Sequence, residues 1–163
     1  MKTMKGNPIT VLGRILKVGD KPESFKALDN ASSWKSIEDY KKPYVLISVV
    51  PSLDTSVCSL QTRTINERLA SYDKLDVLTI SVDLPFAQKR WCGQEGLNIT
   101  TLSDHFALDF GFKYGVVIEE KRLLARALFI LNQAREVIYV EYLDEMSKHP
   151  DYDKVFEFIE TLH

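Results

Sequence analysis

Cys58 stands three residues after Thr55 and seven after Pro51, in the run Pro51-Ser52-Leu53-Asp54-Thr55-Ser56-Val57-Cys58 that follows directly on the apolar residues 44–50. A β-branched and nearly uninterrupted segment of that kind is the pattern of a central strand covered on both faces. The polar run behind it marks the hand-over to a helix. The nucleophilic form of cysteine is the thiolate, and a helix N-terminus is one of the few places where a protein favours that form without a metal. Residue type and spacing therefore make Cys58 a candidate reactive centre. Thr55 is placed to cap the helix, and Asp54 reads as a solvated turn residue rather than a base.

The remaining reactive side chains are few. The chain holds 2 cysteines and 3 histidines in 163 residues. Cys58 and Cys92 are separated by 33 residues, so there is no Cys-x-x-Cys redox or zinc signature. None of His105, His149 and His163 is spaced with a cysteine as a metal site requires, so no zinc is expected. A Cys-His hydrolase is disfavoured for the same reason, and the histidines read as structural or surface groups. Two cysteines are also too few for a structural disulfide framework.

The elements that would position these groups follow from periodicity and turn residues. Gly6-Asn7-Pro8 separates segments 2–5 and 9–12 and predicts an N-terminal β-hairpin. Residues 25–28 are a short strand candidate, and Ser33 would cap a brief helix to residue 40. After Pro51 a helix is expected over about 56–72, with Ile65, Leu69 and Tyr72 at helical spacing. Residues 77–82 form a second buried strand. A helix from about 86 through Cys92 should end at Gly93 or Gly96, since glycine suits a helix C-terminus. Residues 100–103 predict a strand and 105–110 a short helix. Segments 127–131 and 136–142 predict an antiparallel hairpin around Asn132-Gln133-Ala134-Arg135, and a final helix starts at Asp151 with Val155, Phe158, Ile159 and Leu162 on one face. That order predicts an α/β chain with a mixed central sheet flanked by helices, a thioredoxin-like arrangement. No repeat or linker divides it, so one domain over 1–163 is expected.

Composition narrows the function classes. Hydrophobic residues at 45% and charged residues at 27% are globular proportions. The net charge is −2 with no basic stripe, which argues against nucleic acid as a partner. No apolar run approaches the roughly 20 residues needed to span a bilayer. The N-terminal Met1-Lys2-Thr3-Met4-Lys5 does not lead into an apolar signal region. A soluble, cytoplasmic protein is expected.

Beyond these residue-level readings, the run Pro51 to Cys58 resembles the signature of the thiol peroxidases, the atypical two-cysteine branch of the peroxiredoxins. So do Asp83-Leu84-Pro85-Phe86-Ala87-Gln88 with Cys92-Gly93-Gln94-Glu95-Gly96-Leu97, then Leu123-Leu124-Ala125-Arg126-Ala127, and Pro150-Asp151-Tyr152. The blocks fall in family order over nearly the whole chain. The resemblance implies that Cys58 is the peroxidatic nucleophile, oxidised by hydrogen peroxide or an organic hydroperoxide to a sulfenic acid. It implies that Arg126 supplies a guanidinium to the thiolate, that the Thr55 hydroxyl hydrogen-bonds thiolate and peroxide, and that Pro51 shields the pocket from water. Cys92 is implied as the resolving cysteine, forming an intrachain disulfide with Cys58. Bridged Cα atoms must lie within about 7 Å, so the first turn after Thr55, the Cys92 helix, or both are expected to unwind in each cycle. The family also implies thioredoxin as reductant, a homodimer, and neither cofactor nor metal.

Two other readings compete with this one. A peroxide sensor or redox relay would pass its disulfide to a partner protein. A thioredoxin-fold binding domain would carry both cysteines incidentally, as free cysteines commonly serve as small buried hydrophobes. For the individual residues, Arg126 could be an edge or ion-paired arginine, and Trp91 and Phe86 read as packing residues.

Overall fold

The computed structural model describes residues 1–96 and 98–162; Leu97, which closes the second motif, and His163 lie outside them. In chain order the strands and helices are β1 (Lys2–Met4), β2 (Asn7–Ile9), β3 (Val11–Leu12), β4 (Lys26–Leu28), β5 (Trp34–Ser36), β6 (Tyr44–Val49), α1 (Ser56–Leu69), β7 (Leu75–Ser81) and α2 (Pro85–Glu95). Then follow β8 (Thr100–Ser103), α3 (Asp109–Tyr114), β9 (Val117–Ile118), β10 (Leu123–Leu124), β11 (Ala127–Leu131), β12 (Val137–Tyr142) and α4 (Tyr152–Glu160). The main sheet has the order β12-β11-β6-β7-β8-β4-β5. Strands β6, β7 and β8 are parallel, and the β11 and β4 pairings are antiparallel. This is the mixed thioredoxin-like sheet that the order of apolar runs predicts.

Side-chain alternation on β6 and β11 explains why helices cover both faces. Val45, Ile47, Val49, Ala127, Phe129 and Leu131 point into a core shared with Phe110 and Tyr114 of α3. Leu46, Leu128 and Ile130 point the other way, onto Ile65 and Leu69 of α1 and Val155, Phe156 and Ile159 of α4. Each such fully buried aliphatic side chain contributes roughly 1.5–3 kcal/mol. The last strand pair and α4 lie where the sequence predicts them. So does the end of α2, where Gly96 takes the left-handed φ of 66° and its N–H closes on the Cys92 carbonyl at 3.2 Å.

Several short elements differ from expectation. The N-terminal hairpin forms, but its turn is Lys5-Gly6, with φ of 50° and 80° at the two positions, a geometry that matches the twist of a two-residue hairpin. The expected strand 9–12 is broken, because Val11 and Leu12 leave to pair with β9 in a separate three-stranded sheet with β10. Residues 33–40 are not a helix. Trp34–Ser36 pair with β4, and only a short 3₁₀ turn, Ile37–Asp39, follows. Strand pairing at the sheet edge overrides the local helical signal.

The helix expected at 105–110 starts later, at Asp109, for a visible reason. Leu108 adopts φ 53°, which no continuous helix from His105 could accommodate. Asp104 reaches forward instead, and its carboxylate accepts the N–H groups of Phe110 at 3.0 Å and Gly111 at 2.8 Å. Those are orphan donors of the first turn of α3. Burial pushes the Asp104 carboxyl up to about 7, outweighing the two backbone donors that pull it down. Between about pH 4 and about pH 7 the unfolded chain releases this proton while the folded chain retains it. The contribution of this group to stability is therefore full below about pH 4 and falls as pH rises to about 7, by roughly 4 kcal/mol at ~1.4 kcal/mol per pH unit. Urea unfolding from pH 5 to pH 8 should show this slope in the wild type and lose it in Asp104→Asn. Parallel slopes in the two proteins would refute the assignment.

Candidate active site

The handover from β6 to α1 builds the floor of the site. Thr55 has extended backbone (φ −93°, ψ 149°), and its Oγ1 accepts the Cys58 N–H at 3.3 Å. That is the N-cap role the sequence predicts. The single proton of this hydroxyl is directed to the Ser52 carbonyl at 3.2 Å. Cys58 is the third residue of α1 and fully buried, and Pro51 is buried at the end of β6.

Arg126 enters from the loop between β10 and β11 and is 2% exposed. Its Nη2 donates to the Cys58 Sγ at 3.2 Å. Three further N–H groups meet neutral acceptors. Nη1 reaches Gln61 Oε1 at 2.8 Å, and both Nε and Nη2 reach the Met146 carbonyl, at 2.9 and 2.8 Å. Gln61 is buried one turn after Cys58 and is fixed by donating to Ser48 Oγ on β6 at 2.8 Å. Among the described residues no carboxylate lies within ion-pair distance of Arg126. A buried cation without a counterion is costly. The one neighbour able to supply the negative charge at hydrogen-bond range is the Cys58 sulfur.

The N-terminal hairpin supports this arrangement from outside. Thr3 N–H donates to the Asp144 carbonyl at 2.7 Å, and Met146 N–H donates to the Thr3 carbonyl at 2.9 Å. Glu145 gathers Thr3 Oγ1 and the Gly6 N–H at 3.0 and 2.7 Å. The Ser147 hydroxyl, followed by the Gly6 and Ser147 N–H groups, holds the Glu145 carboxyl at about 2. The hairpin thus fixes Met146, Met146 fixes Arg126, and Arg126 meets Cys58. Beyond it, His149 is shifted down by burial first and by the Arg126 charge second.

Pro51, Thr55, Cys58 and Arg126 line one open cleft of about 470 Å³, whose rim is made by Met4, Lys5 and Leu123. Cys92 does not line it. It lies on α2, partly buried, with Sγ 3.8 Å from both the Ile99 carbonyl and Thr101 Oγ1. It packs against a small cluster of Val50, Leu53, Cys58, Trp91 and Ile99 that joins the two cysteines from behind. Both are free thiols in this structure. A second cleft of about 500 Å³ beside Trp34 and Phe106 contains none of these residues, so size alone does not mark the site.

Gln61, Ser48 and Met146 were not singled out by sequence. Gln61 did leave a signal: it interrupts the otherwise mostly apolar buried face of α1 formed by Cys58, Ile65 and Leu69. A buried amide in such a stripe needs partners. Met146 acts mainly through its backbone carbonyl, which no side-chain pattern reveals. Among the described residues no group of three or more His, Cys, Asp or Glu side chains could hold a metal ion, and no helix is long and apolar enough to cross a membrane.

A buried thiol at a capped helix start, paired with an uncompensated guanidinium on a thioredoxin-like sheet, defines a thiol-based oxidoreductase. Residues 17–156 match the family model described as Redoxin. The chain is 57% identical over 156 residues to a thiol peroxidase of Halalkalibacterium halodurans, covering 95% of this chain and 94% of that protein. Among solved structures it is similar to a peroxiredoxin-like protein from Aquifex aeolicus (39% identity, TM-score 0.90, covering 98% and 95% of the two chains). A thiol peroxidase from Chromobacterium violaceum superposes with a TM-score of 0.88 at 25% identity, covering 98% and 95%. The chain belongs to the redoxin family, within its thiol peroxidase branch. It is a peroxiredoxin-type peroxidase.

Proposed function

We propose that the protein reduces hydrogen peroxide and organic hydroperoxides through a Cys58 sulfenic acid and an intrachain Cys58–Cys92 disulfide that thioredoxin reduces. The observation that carries the reading is the Arg126 Nη2 to Cys58 Sγ contact of 3.2 Å, made by a guanidinium with no carboxylate partner among the described residues. The Cys58 thiolate attacks the terminal peroxide oxygen, the O–O bond breaks, and the departing hydroxide or alkoxide takes up a proton to leave as water or alcohol. Arg126 and the N–H groups of the first turn of α1 stabilise the charge that moves from sulfur to the leaving oxygen. A peroxide oxygen in the cleft competes with the Ser52 carbonyl for the Thr55 hydroxyl proton. Buried Pro51 offers no N–H and limits water at the sulfur.

Cys92 then condenses with the sulfenic acid, releasing water and forming the disulfide. Thioredoxin returns both thiols by exchange and becomes oxidised itself. The cleft exceeds what hydrogen peroxide needs, and Met4, Pro51, Val57 and Leu123 give it apolar walls, which supports organic hydroperoxides as substrates. We place the protein in the cytoplasm as a single-domain homodimer with an antioxidant role. Thioredoxin and its reductase should support NADPH oxidation that depends on both the protein and a hydroperoxide, with hydrogen peroxide and with cumene hydroperoxide. Oxidation of the protein once without turnover would reject thioredoxin recycling and favour a relay.

A further inference from the structure

Asp83 takes no part in the chemistry above, yet it is the point where the two cysteine-bearing segments meet. It sits half-buried between β7 and α2. One carboxylate oxygen accepts the Ser52 hydroxyl at 2.7 Å, and the other accepts the Leu53 N–H at 2.8 Å and the Ser81 hydroxyl at 2.7 Å. The Ser81 hydroxyl in turn accepts from Gln88 Nε2 at 3.0 Å. Gln88 is buried on α2 one turn before Cys92, on the same face. The carboxylate thus grips the turn that leads into Thr55 and Cys58, and through Ser81 and Gln88 it is tied to the helix that carries Cys92. Hydrogen bonds to an ionised acceptor are about twice as strong as neutral ones. Leu53, whose N–H is held, also packs in the cluster that contains Cys58 and touches Cys92.

The geometry points to Asp83 as a positioning residue: its carboxylate is a latch that holds the Pro51–Thr55 turn in the peroxide-reactive arrangement and must let go before Cys58 can meet Cys92. This rests on the disulfide cycle proposed above and adds what sets the balance between its two steps. With the latch intact, the N-cap and the Arg126 contact stay aligned and Cys58 reacts quickly with peroxide. The same bonds resist the unwinding that brings the two sulfurs together. Weakening them should slow the first step and speed the second.

Stopped-flow fluorescence separates the steps, because Trp91 lies in the cluster with both cysteines. The first phase depends on peroxide concentration and the second does not. In Asp83→Asn, which leaves one oxygen acceptor in place of two, the first phase should slow by about tenfold and the second accelerate several-fold. Ser52→Ala removes one of the bonds to the Asp83 carboxylate, together with the turn's own Asp54 N–H to Ser52 Oγ bond, and should shift both phases the same way by less; it also serves if Asp83→Asn does not fold. Under excess peroxide, mass spectrometry should find a smaller fraction of Cys58 sulfinic acid in each variant, since the sulfenic acid is captured sooner. A residue that merely stabilises the fold would lower the melting temperature and slow both phases together. That outcome, or two unchanged phases, overturns the latch. A wild-type protein that never forms the Cys58–Cys92 bridge instead overturns the reading on which the latch rests.

Discussion

Cys58→Ser should reduce hydroperoxide consumption to background, a loss of at least about 10³-fold, because a serine hydroxyl is not ionised at neutral pH and cannot form a sulfenic acid. The fold should survive, since the side chain is small and its N–H, the group that Thr55 caps, is unchanged. Cys92→Ser separates the two thiols. Its first encounter with peroxide should proceed within about threefold of wild type, because Cys92 lies outside the cleft that holds Cys58 and Arg126. Turnover with thioredoxin should then be lost, and the stranded sulfenic acid should advance to sulfinic acid under excess peroxide. Single-turnover rates and a trapping reagent for sulfenic acid read both results. A Cys58→Ser protein that cycles normally would remove the thiol from the mechanism.

Arg126→Met should lower the second-order rate of Cys58 with peroxide by about 10²–10³-fold, the typical effect of deleting one preorganised donor at a site of changing charge. The same change strips partners from Gln61 Oε1 and the Met146 carbonyl, both buried against the guanidinium. Each acceptor left without a partner costs about 1–3 kcal/mol, so the melting temperature should fall as well. Arg126→Lys distinguishes charge from geometry. A lysine ammonium is a point charge on a flexible stem and cannot span Cys58, Gln61 and Met146 at once. It should recover no more than about a tenth of the lost rate. Full recovery by lysine would mean that positive charge alone suffices and that the fork held by Gln61 and Met146 is incidental.

What the sequence reveals and what it hides divide along a physical line. Strands β6 and β7 are mostly apolar and carry no strict alternation because both faces are covered, and that pattern is local. Thr55, Asp151 and Gly96 end their helices by side-chain or backbone chemistry within a few residues, so these boundaries are also legible. The helix expected at 105–110 starts later because its start is set by Asp104, whose carboxylate reaches past Leu108 to cap Phe110 and Gly111. Strand β5 is hidden from the sequence because its pairing with β4 is a tertiary fact. Strands β9 and β10 are two residues each and carry no period to detect.

The site divides in the same way. Pro51, Thr55 and Cys58 lie within one turn-and-helix motif and announce themselves together. Only the family resemblance points to Arg126, since it lies 68 residues from the sulfur it touches. Gln61, Met146 and Asp83 are tertiary partners whose function depends on which acceptor or donor the fold brings to them. The N-terminal hairpin carries none of the motif blocks in the sequence. In the structure it holds the segment whose carbonyl anchors Arg126.

The central claim is that Cys58 and Cys92 form one redox centre although one is buried at the cleft floor and the other lies behind it. One equivalent of hydroperoxide added to the reduced protein, followed by intact-mass and peptide-mapping mass spectrometry, tests this directly. Loss of two hydrogens and a linked pair of peptides containing Cys58 and Cys92 are expected. Recovery of the unmodified dithiol, or of a chain oxidised at Cys58 with Cys92 still free, would contradict it.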